Sequence, residues 1–120
     1  MNLHQAIPPC PGSPNCVSSL EPGKRGPAPI PLTIDPDQAL SAVEQAVSAL
    51  PGAALAERNG PVLRFVFTSR IFRFKDDVTF FLDAAAKLLH FRSASRVGWW
   101  DLGANRRRMK RITALLAGRI

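Results

Sequence analysis

The sequence predicts an α+β domain in which an antiparallel meander of about four strands carries two helices packed on one face. Two patterns support this fold class. An amphipathic helical stripe lies near each end of residues 30–120, and alternating apolar residues fill the stretch between the stripes. A chain of 120 residues is also long enough to enclose one hydrophobic core. We therefore predict the element order α-β-β-β-β-α with short links between successive strands.

Residues 1–29 are predicted to form an extended Pro/Gly-rich arm outside the sheet. Most of the 11 prolines of the chain fall before Ala39, and proline lacks the backbone donor that helices and sheet ladders use. Such an arm either lies against the domain or stays disordered. We place the boundary between the arm and the domain after residue 29 and treat residues 30–120 as a single domain.

The two predicted helices have recognisable starts and apolar stripes. The first begins at Asp35, a favourable N-cap before Pro36, and ends at Pro51-Gly52. Its stripe consists of Leu40, Val43, Val47 and Leu50. The last helix begins near Asp101 or Gly103, with an inward stripe of Asn105, Met109, Ile112 and Leu116.

Four strands are predicted between the helices. They are Ala53–Glu57, Val62–Thr68, Val78–Leu82 and Lys87–Ser93. Asn59-Gly60 is typical of a tight hairpin turn between the first two. Alternation places Arg64, His90 and Arg92 on the face away from the helices, and we expect that face to be partly open.

The charge balance favours anionic partners. The formal net charge is +7, with 16 Lys+Arg against 9 Asp+Glu, and such an excess concentrates phosphates, carboxylates, nucleic acid or acidic lipid near the surface. A solvated basic surface without a dedicated partner explains the charge equally well. No apolar run approaches the ~18 residues of a membrane span. The first residues lack the pattern of a signal peptide, so we expect a cytoplasmic protein.

The stretch from Arg92 to Arg106 has the composition of an anion site. Arginines, hydroxyls and glycines lie between a strand end and a helix start, where backbone N–H groups are unpaired. The guanidinium fork matches a phosphate or a carboxylate. The alternative is that Arg92 and Arg96 pair with neighbouring aspartates and only hold loops together. The predicted ligand-binding residues are Arg92, Ser93, Ser95, Arg96, Asp101, Asn105 and Arg106.

Three residues are candidates for proton transfer, namely His90, Asp76 and Asp77. Consecutive residues on an extended chain point in opposite directions, so ion pairing is the favoured role of the two aspartates. A lone histidine is usually exposed or hydrogen-bonded, but His90 beside an arginine-bound anion would suit a general base. Whether the protein is an enzyme stays open on these residues.

The two cysteines are assigned a structural role. Cys10 and Cys16 can close a short disulfide loop in an oxidising compartment or remain reduced. The only histidines, His4 and His90, do not stand at zinc-finger spacing from them. A metal site or a catalytic thiol is the alternative for this pair, and we expect neither a metal nor a cofactor.

Three blocks resemble a family catalogued as a domain of unknown function, number 1499, found in small bacterial and plastid proteins. They are Cys10 to Ser19, Thr68-Ser69 with Phe74 to Val78, and Arg92 to Arg108. Trp99-Trp100 depart from the resemblance, which leads us to expect a tyrosine and a small polar residue there. The resemblance implies no activity. It does imply a shared site that consists of Ser69, Asp76, Asp77 and the predicted ligand-binding residues. It also implies that the two cysteines belong to the domain rather than to a dispensable tail.

These observations favour a binding or accessory module that holds a small anionic ligand or an acidic group of a partner protein. In this hypothesis Arg92 and Arg96 clamp the charge while Asp76 and Asp77 orient the arginines. One alternative is a small enzyme that acts on an anionic substrate by acid/base catalysis. Another is a basic scaffold whose last helix contacts an anionic membrane or nucleic acid, although that helix lacks the aromatic interleaving of nucleic-acid modules.

Overall fold

The computed structural model describes the whole chain, Met1–Ile120. Its elements are α1 (Leu3–Ala6), β1 (Cys16–Ser18), β2 (Ile30–Pro31), α2 (Pro36–Ser48), β3 (Ala53–Asn59), β4 (Val62–Thr68), β5 (Lys75–Asp83), β6 (Leu88–Ser95) and α3 (Ala104–Leu116).

All six strands belong to one antiparallel sheet. Its order is β1-β6-β5-β4-β3, and β2 also pairs with β6. The strands from β3 to β6 form the predicted meander, which is confirmed. The predicted number of four strands is wrong, because β1 and β2 both pair with β6 and add to the sheet beside it.

The N-terminal arm contributes secondary structure that its prolines led us to exclude. Its residues 16–18 contain no proline, so their backbone groups are free to pair with β6, with Cys16 opposite Ala94 and Ser18 opposite Arg92. A short helix, α1, precedes them and starts with a capping box between Asn2 and Gln5. The prolines therefore limit the length of the elements in the arm without preventing them.

The two long helices follow their predicted stripes. Asp35 caps α2 by accepting hydrogen bonds from the backbone of Asp37 and Gln38. Gly103, with φ of +80°, precedes α3, and a glycine adopts this backbone conformation without strain. The buried residues of α3 are Asn105, Met109, Ile112 and Leu116.

The main core lies between the sheet and the two long helices. Phe65, Phe80 and Phe91 point toward the helices and are completely or almost completely buried. Phe65 and Phe80 meet edge to face with ring centroids 6.0 Å apart. Because side chains alternate along strands, every second residue of β5 and β6 points toward α3 and the rest point away.

The arm covers part of the opposite face of the sheet. Ala6 and Ile7 pack against Val62 and Phe81 in a separate apolar cluster. His90 is only 8% exposed as a result. The expectation of a partly open face therefore needs correction: Arg64 remains exposed there, whereas the arm buries the histidine.

Candidate functional site

Asn105 is the centre of a buried polar network between α3 and the sheet. Its side chain is fully buried. Its amide oxygen accepts hydrogen bonds from Ser93 Oγ at 2.6 Å and from Arg108 Nη1 at 2.8 Å. Its amide nitrogen lies 2.9 Å from Ser95 Oγ and 2.7 Å from Asp101 Oδ2, both of which accept from it. A polar residue on an apolar helix stripe thus finds the partners that its burial requires.

Arg108 joins this network to strand β5. Its Nη2 donates to Asp76 Oδ2 at 2.7 Å, and both side chains are largely buried. Its Nη1 also donates to Ser93 Oγ at 3.2 Å. The guanidinium carbon stands 4.8 Å from the centre of the Phe67 ring, a cation–π contact. These contacts hold the arginine in one orientation.

Asp101 fixes the start of α3. Its carboxylate accepts hydrogen bonds from the backbone N–H of Gly103 at 2.8 Å and of Asn105 at 2.9 Å. Burial alone would raise the pKa of Asp101, but the hydrogen bonds from Asn105 and Gly103 outweigh it, and the pKa is lowered. The residue therefore stays ionised and caps the helix.

The cysteine-containing part of the arm is attached to the same network. The Asn15 carbonyl accepts from Ser95 N at 3.0 Å and from Asn105 Nδ2 at 3.2 Å, while Asn15 Nδ2 donates to the Gly98 carbonyl at 2.7 Å. A disulfide joins Cys10 to Cys16 around this asparagine. The arm thus forms one wall of the network.

Arg92 and Arg96 lie on the other face of the sheet. Arg92 Nε donates to the Pro8 carbonyl at 3.0 Å. Arg96 forms a bidentate ion pair with Asp77, with both N–O distances 2.9 Å. The hydrogen bond from Arg96 lowers the pKa of Asp77 and raises that of Arg96, while burial lowers the pKa of Arg92.

The structure therefore divides the sequence-predicted site between two faces. Strand alternation sends Ser93 and Ser95 toward α3, whereas Arg92 lies on the far side together with Asp77 and its ion-pair partner. Asp76 and Asp77 also separate, as the sequence argument for consecutive residues predicts. Arg106 belongs to neither group of residues, since it donates to the Lys24 carbonyl of the arm at 3.3 Å.

His90 lies away from this network. Its Nδ1 is 3.1 Å from Ser19 Oγ, and burial lowers the pKa of the imidazole. Ser19 in turn accepts from the Phe91 backbone N–H at 2.8 Å. The histidine is on the face opposite Asn105 and lines neither of the cavities described next.

A cavity of about 470 Å³, which we call the arginine cavity, opens between the end of α2, the β4–β5 loop and α3. No carboxylate lines it. Arg108 is committed to Asp76, and Arg107 Nη1 donates to the Leu102 carbonyl at 2.6 Å. None of the other three arginines takes part in an ion pair. The arginines that line it are Arg70, Arg73, Arg107, Arg108 and Arg111.

A second cavity of about 370 Å³, the aromatic groove, adjoins the first. Ser69, Ala104 and Arg108 line both cavities. Ser69 closes the β4–β5 loop, since its hydroxyl accepts from Phe74 N at 2.8 Å and its own N–H donates to the Phe74 carbonyl at 2.9 Å. The polar residues of the groove include Asp76, Ser95 and Asp101, and its apolar walls are Phe72, Phe74, Val97, Trp100 and Leu102.

The site predicted from the sequence includes none of the five arginines that line the cavity. Arg107 and Arg111 are one helical turn apart, a spacing that places both on one face of α3. This spacing is a signal in the sequence, but a run of basic residues is equally typical of a solvated helix face. Arg70 and Arg73 follow the end of β4 in a loop, where no periodicity indicates which way a side chain points.

Comparison with known proteins adds the family. The chain matches the family model described as protein of unknown function (DUF1499) over residues 6–116, and it belongs to that family, as the three sequence blocks indicated. No curated protein and no solved structure matches the chain. None of its helices has the length and apolar character needed to cross a membrane.

Proposed function

We propose that the protein is a binding module whose arginine cavity holds a small anionic group, a phosphate or a carboxylate. The observation that carries this proposal is that five arginines and no carboxylate line one cavity, and that four of these arginines have no ion-pair partner. Like charges in a shared cavity repel one another, and an anion between them relieves that repulsion. Guanidinium groups also supply the planar, paired donors that fit both anions.

The buried network gives the cavity a fixed wall. Arg108 is held by Asp76, Asn105 and Ser93, so it presents its guanidinium without further loss of side-chain freedom. In this proposal Ser95 and Asp101 support Asn105, and Ser69 shapes the loop that carries Arg70.

The remaining arginines of the predicted site have structural roles in this proposal. Arg92 holds the arm through Pro8, Arg96 holds β5 through Asp77, and Arg106 holds the arm near Lys24.

Binding fits the geometry better than catalysis. A general base has to reach the substrate within hydrogen-bond distance. Asp76 is engaged by Arg108, whereas Asp77 and His90 lie on the opposite face of the sheet from α3. We therefore propose a ligand-holding role rather than acid/base chemistry by these three residues.

The disulfide bears on where the protein works. Disulfides persist in oxidising compartments and are rare in the cytosol. Because Cys10 and Cys16 are bonded and flank the Asn15 contact with the network, we propose an oxidising compartment in place of the cytoplasm expected from the sequence.

The proposal is tested by thermal unfolding in increasing inorganic phosphate, with sodium chloride at matched ionic strength. Phosphate at ten times its Kd stabilises a native state by about 1.4 kcal/mol, which raises the Tm by about 5 °C for a small domain. The double variant Arg107→Gln/Arg111→Gln should lose this rise.

The matched control is Lys110→Gln/Arg119→Gln, which removes the same charge from exposed positions outside both cavities. It should keep the response to phosphate. Equal Tm rises in the wild type and both double variants would overturn the proposal, because the effect would then not need Arg107 and Arg111. An equal loss of the rise in both double variants would overturn it as well, because the effect would then depend on net charge alone.

A further inference from the structure

Exposed apolar side chains are concentrated in two loops. Of the large apolar residues that are exposed, all but Met1, Ile34 and Leu55 lie either between β4 and β5 or between β6 and α3. Their exposed fractions run from 55% to 80%. A contiguous set of this kind, unlike scattered single residues, marks an interaction surface. The set, which we call the aromatic rim, is Ile71, Phe72, Phe74, Val97, Trp99, Trp100 and Leu102.

The two loops are neighbours in space. Arg96 N donates to the Lys75 carbonyl at 3.1 Å, at the base of both loops. Phe72 and Phe74 stack with ring centroids 5.6 Å apart, and side chains from both loops line the aromatic groove. The rim is therefore one surface rather than two.

The backbone of each loop is fixed by its own hydrogen bonds, which leave the apolar side chains outside. Ser69 and Phe74 close the first loop with a pair of bonds, and Asp101 holds the second by accepting from Gly103. Arg73 and Leu102 have positive φ of 59° and 57°. This backbone region is strained for a residue other than glycine, so both loops keep a conformation that local backbone preference disfavours.

Cations lie beside the rim on the side of the β4–β5 loop. The loop from Ser69 to Phe74 carries Arg70 and Arg73 and no acidic residue, and the arginine cavity adjoins the groove. Asp101, the one carboxylate in the second loop, is turned inward to cap α3. Tryptophan side chains favour the headgroup level of a bilayer, and arginine attracts anionic lipid. Apolar aromatic residues flanked by cations thus match a lipid surface in both polarity and charge.

We propose that this end of the molecule docks onto an anionic lipid bilayer. The aromatic rim enters the interfacial region, and Arg70 and Arg73 contact lipid phosphates. The inference shares Arg70 and Arg73 with the proposed function but goes beyond it, because the arginine cavity is able to hold a soluble anion whether or not the rim meets a bilayer.

Trp99 and Trp100 report docking directly, since they are the only two tryptophans of the chain. Vesicles of equal parts phosphatidylglycerol and phosphatidylcholine should shift the tryptophan emission to the blue, and brominated acyl chains should quench it. Vesicles of phosphatidylcholine alone and soluble glycerol phosphate should do neither. Emission that stays unchanged with the mixed vesicles would overturn the proposal.

Co-sedimentation with the mixed vesicles supplies the variant test. Phe72→Ser/Leu102→Ser should lower the partition coefficient at least about tenfold. The control Ile34→Ser/Leu55→Ser, which replaces two exposed apolar side chains outside the rim, should bind as the wild type does. Far-UV circular dichroism verifies that each variant is folded.

Equal binding by both serine variants would overturn the docking surface. Association of the rim with a second copy of the chain, seen by sedimentation velocity without vesicle binding, would overturn it as well. The phosphate-dependent rise in Tm is measured without lipid, so failure of the docking proposal is distinguishable from failure of the anion site.

Discussion

Replacing Asn105 with leucine should destabilise the protein by about 4 kcal/mol. Ser93 and Arg108 lose the amide oxygen that accepts from them. Ser95 Oγ, Asp101 and the Asn15 carbonyl lose the amide nitrogen that donates to them. Hydrogen bonds to charged groups contribute about 1.5–3 kcal/mol and neutral ones about 0.5–1.5 kcal/mol. The lowest sum for these five hydrogen bonds is about 4.5 kcal/mol, and we expect a loss slightly below it, because most partners retain another hydrogen bond and leucine keeps the volume filled.

The assay is urea denaturation followed by far-UV circular dichroism, which does not depend on the exposed tryptophans. Gln45→Leu is the matched control, since it replaces an exposed helical amide with the same side chain and should change the unfolding free energy by less than about 0.5 kcal/mol. A loss below about 1 kcal/mol for Asn105→Leu, with an unchanged m-value, would refute the reasoning that this network holds α3 to the sheet.

Three further predictions concern the ion pairs, the histidine and the disulfide. Asp76→Asn should lower the unfolding free energy by about 3 kcal/mol in urea denaturation, because it leaves a largely buried guanidinium without its counter-ion. Asp77→Asn, in an exposed ion pair, should lower it by less than about 1 kcal/mol. Equal losses in the two variants would contradict this difference. The pKa of His90 is lower in the folded state, so the unfolded chain takes up the proton first and stability should fall as the pH drops below about 6.5. His90→Gln should abolish that component of the pH dependence, and an unchanged profile would contradict its burial as a neutral group. Cys10→Ser/Cys16→Ser should lower the unfolding free energy by about 2 kcal/mol, as expected for so short a loop. Dithiothreitol should lower the unfolding free energy of the wild type equally, because it breaks the same disulfide. An unchanged unfolding free energy in both experiments would contradict a stabilising role of the disulfide.

The long elements of the fold were predictable because their patterns are long. The stripe of α2 and the alternation in β4 repeat often enough to identify the period. The strand Cys16–Ser18 was not predictable, since three residues between prolines carry no period and their pairing with β6 is a tertiary contact. The same holds for Ile7, whose burial depends on the apolar patch at Val62 and Phe81.

The candidate site was predictable in its chemistry and only partly in its geometry. The alternation that points Phe91 toward the helices also points Ser93 that way and Arg92 the other way, so the division of the predicted site followed from the sequence. The position of Arg70 and Arg73 beside α3 was not predictable from the sequence. The direction of the β4–β5 loop that carries them is set by hydrogen bonds such as the one from Phe74 to Ser69.

Nitrogen-15 NMR of the arginine side chains during a phosphate titration tests the anion site most directly. The Nε resonances of Arg107, Arg111 and Arg73 should shift together with one saturable Kd, while those of Arg92 and Arg96 stay in place. Saturable shifts at Arg92 and Arg96 alone, or no saturable shift at any of the five, would contradict the account.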